Sequence, residues 1–348
     1  MIIFHTADLH LKAGQEKRLE ILRWLAGKAV QAKAAAFIIA GDLFDSDTDA
    51  AVLRTAVKKI LESAPDTTFF VIPGNHDAGS FHPDYDYGRN VVQLTEKPFQ
   101  LAEHKGIRFC GIPYQPADFA GCVRDLPPGI DVLIVHGTLY DRDFIRTVVD
   151  DEETKYLPIL PADLENIARY VALGHIHARA FEKQYRKTRV ASPGSALALD
   201  IKCRTKRIFY RLTIDRAKIE LTPVEIETAL HWQDEEFFVF PGNEEKILET
   251  VRDRLSGLDP KKIMPHIIIR GFLGEKGREF GARLEQIRSD LSPRFSDFVL
   301  SDPDIKSWDQ IINQPTVQKF ILRTEPLDAE LRYKIYDLIF PIFSETIK

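Results

Sequence analysis

The sequence predicts an α/β protein: a sheet covered by helices on its faces, followed by a smaller α+β domain. Three observations carry this. Short apolar runs alternate with helical apolar stripes through the first third, a βαβαβ order. Five of the strong apolar runs in the first 180 residues lead into His, Asp or Asn. From about Glu225 the pattern changes, and TALHWQDEEFFVFPGN mixes acids, aromatics and a Pro-Gly break. Domains are therefore expected at 1–224 and 225–348.

The elements follow in order. IIF (2–4), FIIA (37–40) and FFVI (69–72) are apolar on successive residues, as strands covered on both faces are. Between them, Leu19, Leu22, Leu25, Ala29 and Val30 recur at helical spacing, as do Val52, Leu53, Val57, Ile60 and Leu61. Later strands are expected at IRFCGI (107–112), DVLIV (131–135), YVAL (170–173), TRVAS (188–192) and RIFYRLTI (207–214). In the second domain, Asn243 is placed to cap a helix carrying Ile247, Leu248, Val251 and Leu255, with Gly257 as its stop. HIIIRGFL (266–273) reads as a strand, and Phe280, Leu284, Ile287 and Leu291 as one helical face. A last amphipathic helix is expected from about Asp328 to Ile339, before Pro341.

The 348 residues are 44% hydrophobic and 28% charged, an ordinary globular balance with room for two domains. Three cysteines, Cys110, Cys122 and Cys203, match neither a disulfide framework nor a zinc site, so a reducing cytoplasm is expected. The opening apolar run is too short for a signal peptide, and no later run is long enough to span a membrane. The net charge of -5 argues against a chain that is basic throughout. Yet Arg179–Lys218 carries twelve Lys or Arg against three acids, a local +9 that leaves -14 elsewhere. Such asymmetry points to a local anionic partner or to a guarded, solvated sheet edge. Lys202, Arg204 and Lys206 alternate there, so in a strand they would share one face able to meet DNA phosphates.

The strand ends carry the chemistry. Asp8 and His10 follow the first strand, Asp42 the second, and Asn75, His76 and Asp77 the third. His136 follows VLIV, and His175 and His177 follow VALG. In an α/β sheet the carboxyl ends of strands lie along one edge, where ligands bind. Imidazole, carboxylate and an amide oxygen, with no thiolate, suit a borderline divalent ion such as manganese, iron or zinc. Seven ligands, Asp8, His10, Asp42, Asn75, His136, His175 and His177, are too many for one tetrahedral ion and suit two ions sharing a carboxylate. Each piece alone also reads as a turn or a hydrogen-bonded histidine; their order at successive strand ends is what favours metal.

ADLH (7–10), GDLFD (41–45), GNHD (74–77), VHG (135–137) and GHIH (174–177) resemble the signature of the calcineurin-like metallophosphoesterases over about the first 200 residues. HTADLHL (5–11), GDLFD, YVALGHIH (170–177) and SPGS (192–195) further resemble the SbcD-type DNA double-strand-break repair nucleases. The resemblance implies a layered α-β-β-α sandwich with a C-terminal capping domain. It implies two divalent ions, with Mn2+ expected. Asp8, His10, Asp42 and His177 would hold one and Asp42, Asn75, His136 and His175 the other, with Asp42 as bridge. His76 would face the scissile phosphate and protonate the leaving oxygen. Asp77 would orient His76 or a ligand. Asp45, where some members carry histidine, would support a ligand or touch substrate. His5 is expected to be merely packed.

The implied activity is two-metal DNA nuclease chemistry in double-strand-break repair, in the cytoplasm. DNA is the implied partner, with an SbcC-type ABC ATPase and a homodimer from the family, and no membrane. A phosphodiesterase for small nucleotides shares the core motifs and stays open. A non-catalytic scaffold fits the full ligand set least. Ser46-Asp47 after GDLFD and the final Asp77 of GNHD depart from the phosphoprotein phosphatase pattern.

Overall fold

The computed structural model describes residues 1–145, 156–215, 218–274 and 277–346, side chains at 303, 304, 329, 345 and 346 excepted. The chain forms two compact units, Met1–His231 and Trp232–Lys348. The expected boundary after 224 falls a few residues earlier, because Ile226 and Ala229 still pack in the core of the first unit.

The strands of the first unit are β1 (Ile2–Thr6), β2 (Ala36–Ala40), β3 (Thr68–Ile72), β4 (Val91–Gln93), β5 (Gln100–His104), β6 (Ile107–Ile112), β7 (Val132–His136), β8 (Tyr170–Gly174), β9 (Phe181–Tyr185), β10 (Thr188–Ser192), β11 (Ile208–Ile214) and β12 (Ile219–Glu225). They build two six-stranded sheets, β12-β11-β1-β2-β3-β4 and β5-β6-β7-β8-β10-β9. β1, β2, β3 and β4 run parallel, as do β6, β7, β8 and β10.

Helices α1 (Glu16–Ala32) and α2 (Asp47–Glu62) lie between the first strands in sequence. Ser46 caps α2, its hydroxyl accepting from the Asp49 amide at 3.1 Å. The period of two sorts the strand side chains. Phe37, Ile39, Phe69 and Val71 pack with Leu22, Leu25 and Val57 of the helices. Ile38, Phe70 and Ala40 face the other way, into a core shared with Phe109, Ile134, Tyr170 and Ala172 of the second sheet. Beyond that sheet, Leu133, Val171 and Val190 pack on Phe119 and Cys122 of α3 (Phe119–Val123) and on Leu164 of a 3-10 turn. The layers are thus helix, sheet, sheet, helix, and each fully buried Leu or Phe in them contributes about 1.5–3 kcal/mol. A short α4 (Arg142–Ile145) follows β7. Strands β4, β5 and β9 have no apolar run; β5 and β9 are edges whose alternate residues face solvent.

The second unit has a three-stranded sheet, β13 (His231–Val239), β14 (Ile263–Leu273) and β15 (Val299–Ser307), with β14 and β15 parallel. Val239, Ile267 and Ile269 pack on Leu248, Val251 and Leu255 of α5 (Glu244–Gly257) and on Phe280, Leu284 and Ile287 of α6 (Gly277–Leu291). Asn243 precedes α5, but its side-chain oxygen accepts from the Phe240 amide rather than from the helix. Phe240 and Phe272 form a second core with α7 (Trp308–Ile312), α8 (Pro315–Thr324) and α9 (Ala329–Thr346). The last helix does not stop before Pro341 but runs through it. Proline costs one backbone hydrogen bond there, while Phe340 is fully buried and Phe343 packs on it from the following turn. No helix of the described residues is long and apolar enough to cross a membrane.

Candidate metal centre

The parallel strands of both sheets deliver their carboxyl ends to one place. Asp8 and His10 follow β1, Asp42 follows β2, and Asn75, His76 and Asp77 follow β3. His136 ends β7, and His175 and His177 follow β8. The sheets approach so closely that a Cβ on Gly174 would collide with the Ala40 carbonyl, and one on Gly41 with the His136 ring. Gly41 also sits at φ +90°, which favours glycine.

Two groups form. Asp8, His10, Asp42 and His177 each offer a ligand atom within 4.8 Å of one another, and so do Asp42, His136 and His175. Asp42 is common to both. Asn75 joins the second group, its Oδ1 2.9 Å from His136 Nε2 and 3.1 Å from His175 Nδ1. All seven residues expected as ligands are therefore brought together. The backbone is strained to do it: Asp8, His10, Asp42 and His175 have φ of 53°, 44°, 47° and 95°, a region costly for residues with a Cβ.

The polar contacts fit a cation. His136 Nδ1 donates to the Ala40 carbonyl at 3.0 Å, and its Nε2 faces Asn75 Oδ1 and Asp42 Oδ2. His10 Nε2 and His177 Nε2 lie 3.1 Å apart. Asp42 Oδ2 is buried and has no hydrogen-bond partner among the described residues, with His136 Nε2 at 3.3 Å and His10 Nε2 at 3.6 Å. Converging lone pairs around an orphaned buried oxygen suit divalent ions held by carboxylate and imidazole.

Charge in the cluster is unbalanced. Burial, with repulsion from Asp42, raises the Asp8 carboxyl to about 8 and the Asp77 carboxyl to about 7. Burial also opposes the charge of Asp42, yet His136 and His10 hold it well below the usual carboxylate range. Burial lowers His136, but Asp42 and Asp8 outweigh it and raise the imidazole to about 9. Burial and the neighbouring His10 push His177 well down. Three buried carboxylates thus compete for one imidazolium, and a divalent cation would relieve all three.

The supporting residues have distinct places. Asp77 accepts from the amides of Gly74 at 2.8 Å and Phe44 at 3.1 Å, tying the GNHD turn to GDLF. Asp45 lies 3.4 Å from His10 Nδ1 and accepts from Lys12 at 2.7 Å, so it can fix the ring of a ligand. The His10 contact comes first, with that of Lys12, in holding Asp45 well below the usual carboxylate range. Arg18 donates to the His10 carbonyl. His76 is exposed, its ring 4.7 Å from that of His10, and its Nδ1 donates to the Asp45 carbonyl at 3.2 Å. His5 is more than packed: Nε2 donates to the Leu173 carbonyl at 3.2 Å and Nδ1 accepts from the Tyr170 hydroxyl at 2.7 Å. It joins β1 to β8 beneath the centre.

The basic row is different from its expectation. Lys202, Arg204 and Lys206 lie in a loop before β11, not in a strand, so no pleat aligns them. Asp200 turns the chain there, accepting from the Lys202 amide at 2.7 Å, and Lys206 pairs with Glu225 at 2.7 Å. Sequence reasoning also missed a half-buried tyrosine pair beside the centre. The Tyr156 ring is 5.3 Å from His175 and that of Tyr114 5.8 Å from Tyr156. Neither sits in a motif, and only folding brings them together.

Residues 1–179 match the calcineurin-like phosphoesterase family, and the chain belongs to it. This family binds two divalent metals, and the Asp/His groups above are suited to hold them. No curated protein is similar enough in sequence to match. Solved structures with a similar fold include TT1561 of Thermus thermophilus, 14% identical over 64% of this chain and 98% of that one, with a TM-score of 0.40. A dimetal phosphatase from Danio rerio is 9% identical over 65% and 96%, with a TM-score of 0.45. The purple acid phosphatase PPD1 of yellow lupin (Lupinus luteus) is 12% identical over 67% and 52%, with a TM-score of 0.43.

Proposed function

We propose that this chain is a two-metal-dependent DNA nuclease of the SbcD type, acting in double-strand-break repair. The observation that supports it most is the pair of ligand groups sharing Asp42, beside the exposed His76. Asp8, His10, Asp42 and His177 would hold one ion, and Asp42, Asn75, His136 and His175 the other. Two divalent ions bound there would neutralise the phosphate and lower the pKa of the attacking water. The chain's own part is positioning and proton transfer. Asp42 bridges the two groups. His76 donates its Nδ1–H to the Asp45 carbonyl, which leaves Nε2 free; with the ring protonated, the Nε2–H would pass its proton to the departing alkoxide. Asp45 holds His10, and Asp77 holds the turn that carries Asn75 and His76.

DNA as substrate is supported by the +9 balance of Arg179–Lys218 in a chain of net -5. Manganese is the expected metal, because magnesium prefers oxygen ligands and keeps its waters. Residues 225–348 would act as a capping domain that controls access of DNA. An SbcC-type ATPase, a homodimer and a cytoplasmic location belong to the same reading. A second reading, a phosphodiesterase for small nucleotides, gains from the loop placement of Lys202, Arg204 and Lys206 and from the Lys206–Glu225 pair.

The deciding experiment offers linear duplex DNA and bis-p-nitrophenyl phosphate in parallel, with Mn2+. Cleavage of both, with the duplex rate falling on charge reversal at Lys202 and Arg204, is expected. Cleavage of the small diester alone would favour the second reading. Turnover of neither by Mn2+-loaded protein would leave a scaffold.

A further inference from the structure

Arg207 is only 2% exposed and has no carboxylate within ion-pair distance among the described residues. Burying a guanidinium is costly unless its donors are used. Here they are used on backbone oxygens. Nη1 donates to the His177 carbonyl and Nη2 to the Ala178 carbonyl, both at 2.9 Å. Nε donates to the Thr205 carbonyl at 2.9 Å, and Nη2 also to the Thr205 hydroxyl at 2.6 Å. With its donors so engaged, Arg207 is not placed to meet a substrate.

The same carbonyl of His177 is held from the other side by SPGS (192–195), a motif for which the proposed chemistry has no role. The Ser195 amide donates to it at 3.1 Å. Gly194, at φ +74°, lies so close that a Cβ would stand 3.0 Å from that oxygen. Ser195 also bridges to Ala7, next to Asp8. The backbone of one ligand is therefore fixed between a buried arginine and a glycine turn.

We propose that Arg207 and the SPGS turn are positioning elements for His177, and that they set the affinity of one metal position selectively. The position affected is that of Asp8, His10, Asp42 and His177; in that of Asp42, Asn75, His136 and His175, Asn75 and His136 follow other strands, and His175 precedes by two residues the carbonyl that Arg207 and Ser195 hold. The inference rests on the dimetal reading of the site. Groups that orient a ligand typically control metal affinity by 10- to 100-fold.

The test is Mn2+ titration of the full-length chain, followed by calorimetry and by electron paramagnetic resonance. Wild type should bind two ions and show a spin-coupled pair. Arg207→Met should weaken one ion by about 10- to 100-fold, leave the other within about threefold, and show an uncoupled single-ion spectrum at two equivalents. Arg207→Lys should lie between. Gly194→Ala reaches the same carbonyl from the opposite side and should give the same split, which serves if Arg207→Met does not fold. Leu212→Ala, a core truncation in β11, lowers stability without touching either group and should keep both ions. Equal weakening of both ions, no weakening, or the same split in Leu212→Ala would overturn the proposal. Failure of wild type to bind a second ion would instead overturn the dimetal reading beneath it.

Discussion

The Nε2 atom of His136 stands 3.3 Å from Oδ2 of Asp42, joining the end of β7 in one sheet to the end of β2 in the other. The contact lacks hydrogen-bond geometry, so the Asp42 oxygen remains orphaned although fully buried. An anion in that state needs a cation, and Asp42 belongs to both ligand groups.

Asp42→Ala should therefore release both metals, whereas His76→Ala should keep both and lose turnover by about 10²–10⁴-fold. Metal content and the rate on a small diester, measured on the same preparations, separate the two roles. A His76 variant that cleaves at a near-normal rate removes the acid assignment. Full activity of the wild type after exhaustive chelation removes the metals from the mechanism.

His5 should make stability depend on pH. Burial lowers its pKa from 6.5 to about 3, the Leu173 carbonyl opposing. It stays neutral in the folded chain, while the unfolded chain protonates it below about 6.5. The unfolded state thus binds more protons between those values, and stability falls as pH falls through the window. The slope from this residue is about 1.4 kcal/mol per pH unit. Denaturant melts of wild type and His5→Gln from pH 7 to 4 should converge toward the acid end. Parallel curves would show that His5 takes up its proton equally in the folded and unfolded chain.

Gly174→Ala should damage the centre without changing a ligand. The added Cβ meets the Ala40 carbonyl, which already accepts from His136. Backbone has little room to give, so roughly 1–3 kcal/mol of stability should go, a fall of a few degrees in melting temperature. Metal affinity should fall with it, because the sheet spacing sets the ligand distances. An unaltered melting temperature would mean that the sheets separate freely.

A chain ending at His231 should fold, bind Mn2+ and hydrolyse a small diester, yet lose most cleavage of duplex DNA. The cut belongs after His231 rather than near Ile226, since Ile226 and Ala229 are core residues of the first unit. Circular dichroism would establish folding first. Duplex cleavage at the full-length rate would show that the second unit is not a cap.

Much of this was legible in the sequence. Central strands covered on both faces are continuous apolar runs, so β2, β3 and β8 stand where FIIA, FFVI and YVAL predict them. Polar edge strands such as β5 and β9 carry no such run and were invisible. The helix α9 passes Pro341 because aromatic burial, a tertiary term, outweighs a local rule.

The residues of the metal centre were readable for a related reason. Ligands must follow parallel strands, and parallel strands advertise themselves, so motif order alone indicated Asp8 through His177 as one set. What joins them in space was not readable. Nothing local in Gly41 or Gly174 tells that two sheets touch there, or in Asp8, His10, Asp42 and His175 that they take left-handed backbone. The alternation of Lys202, Arg204 and Lys206 reads as a strand until Asp200 turns the chain into a loop. Arg207 reads as one more surface cation until folding buries it against His177. The sequence by itself determined which side chains make up the candidate ligand set, since that depends on residue type and strand order. Only the tertiary structure decided their distances, protonation and supports, because burial and electrostatic coupling depend on segments up to about 170 positions apart meeting in one volume.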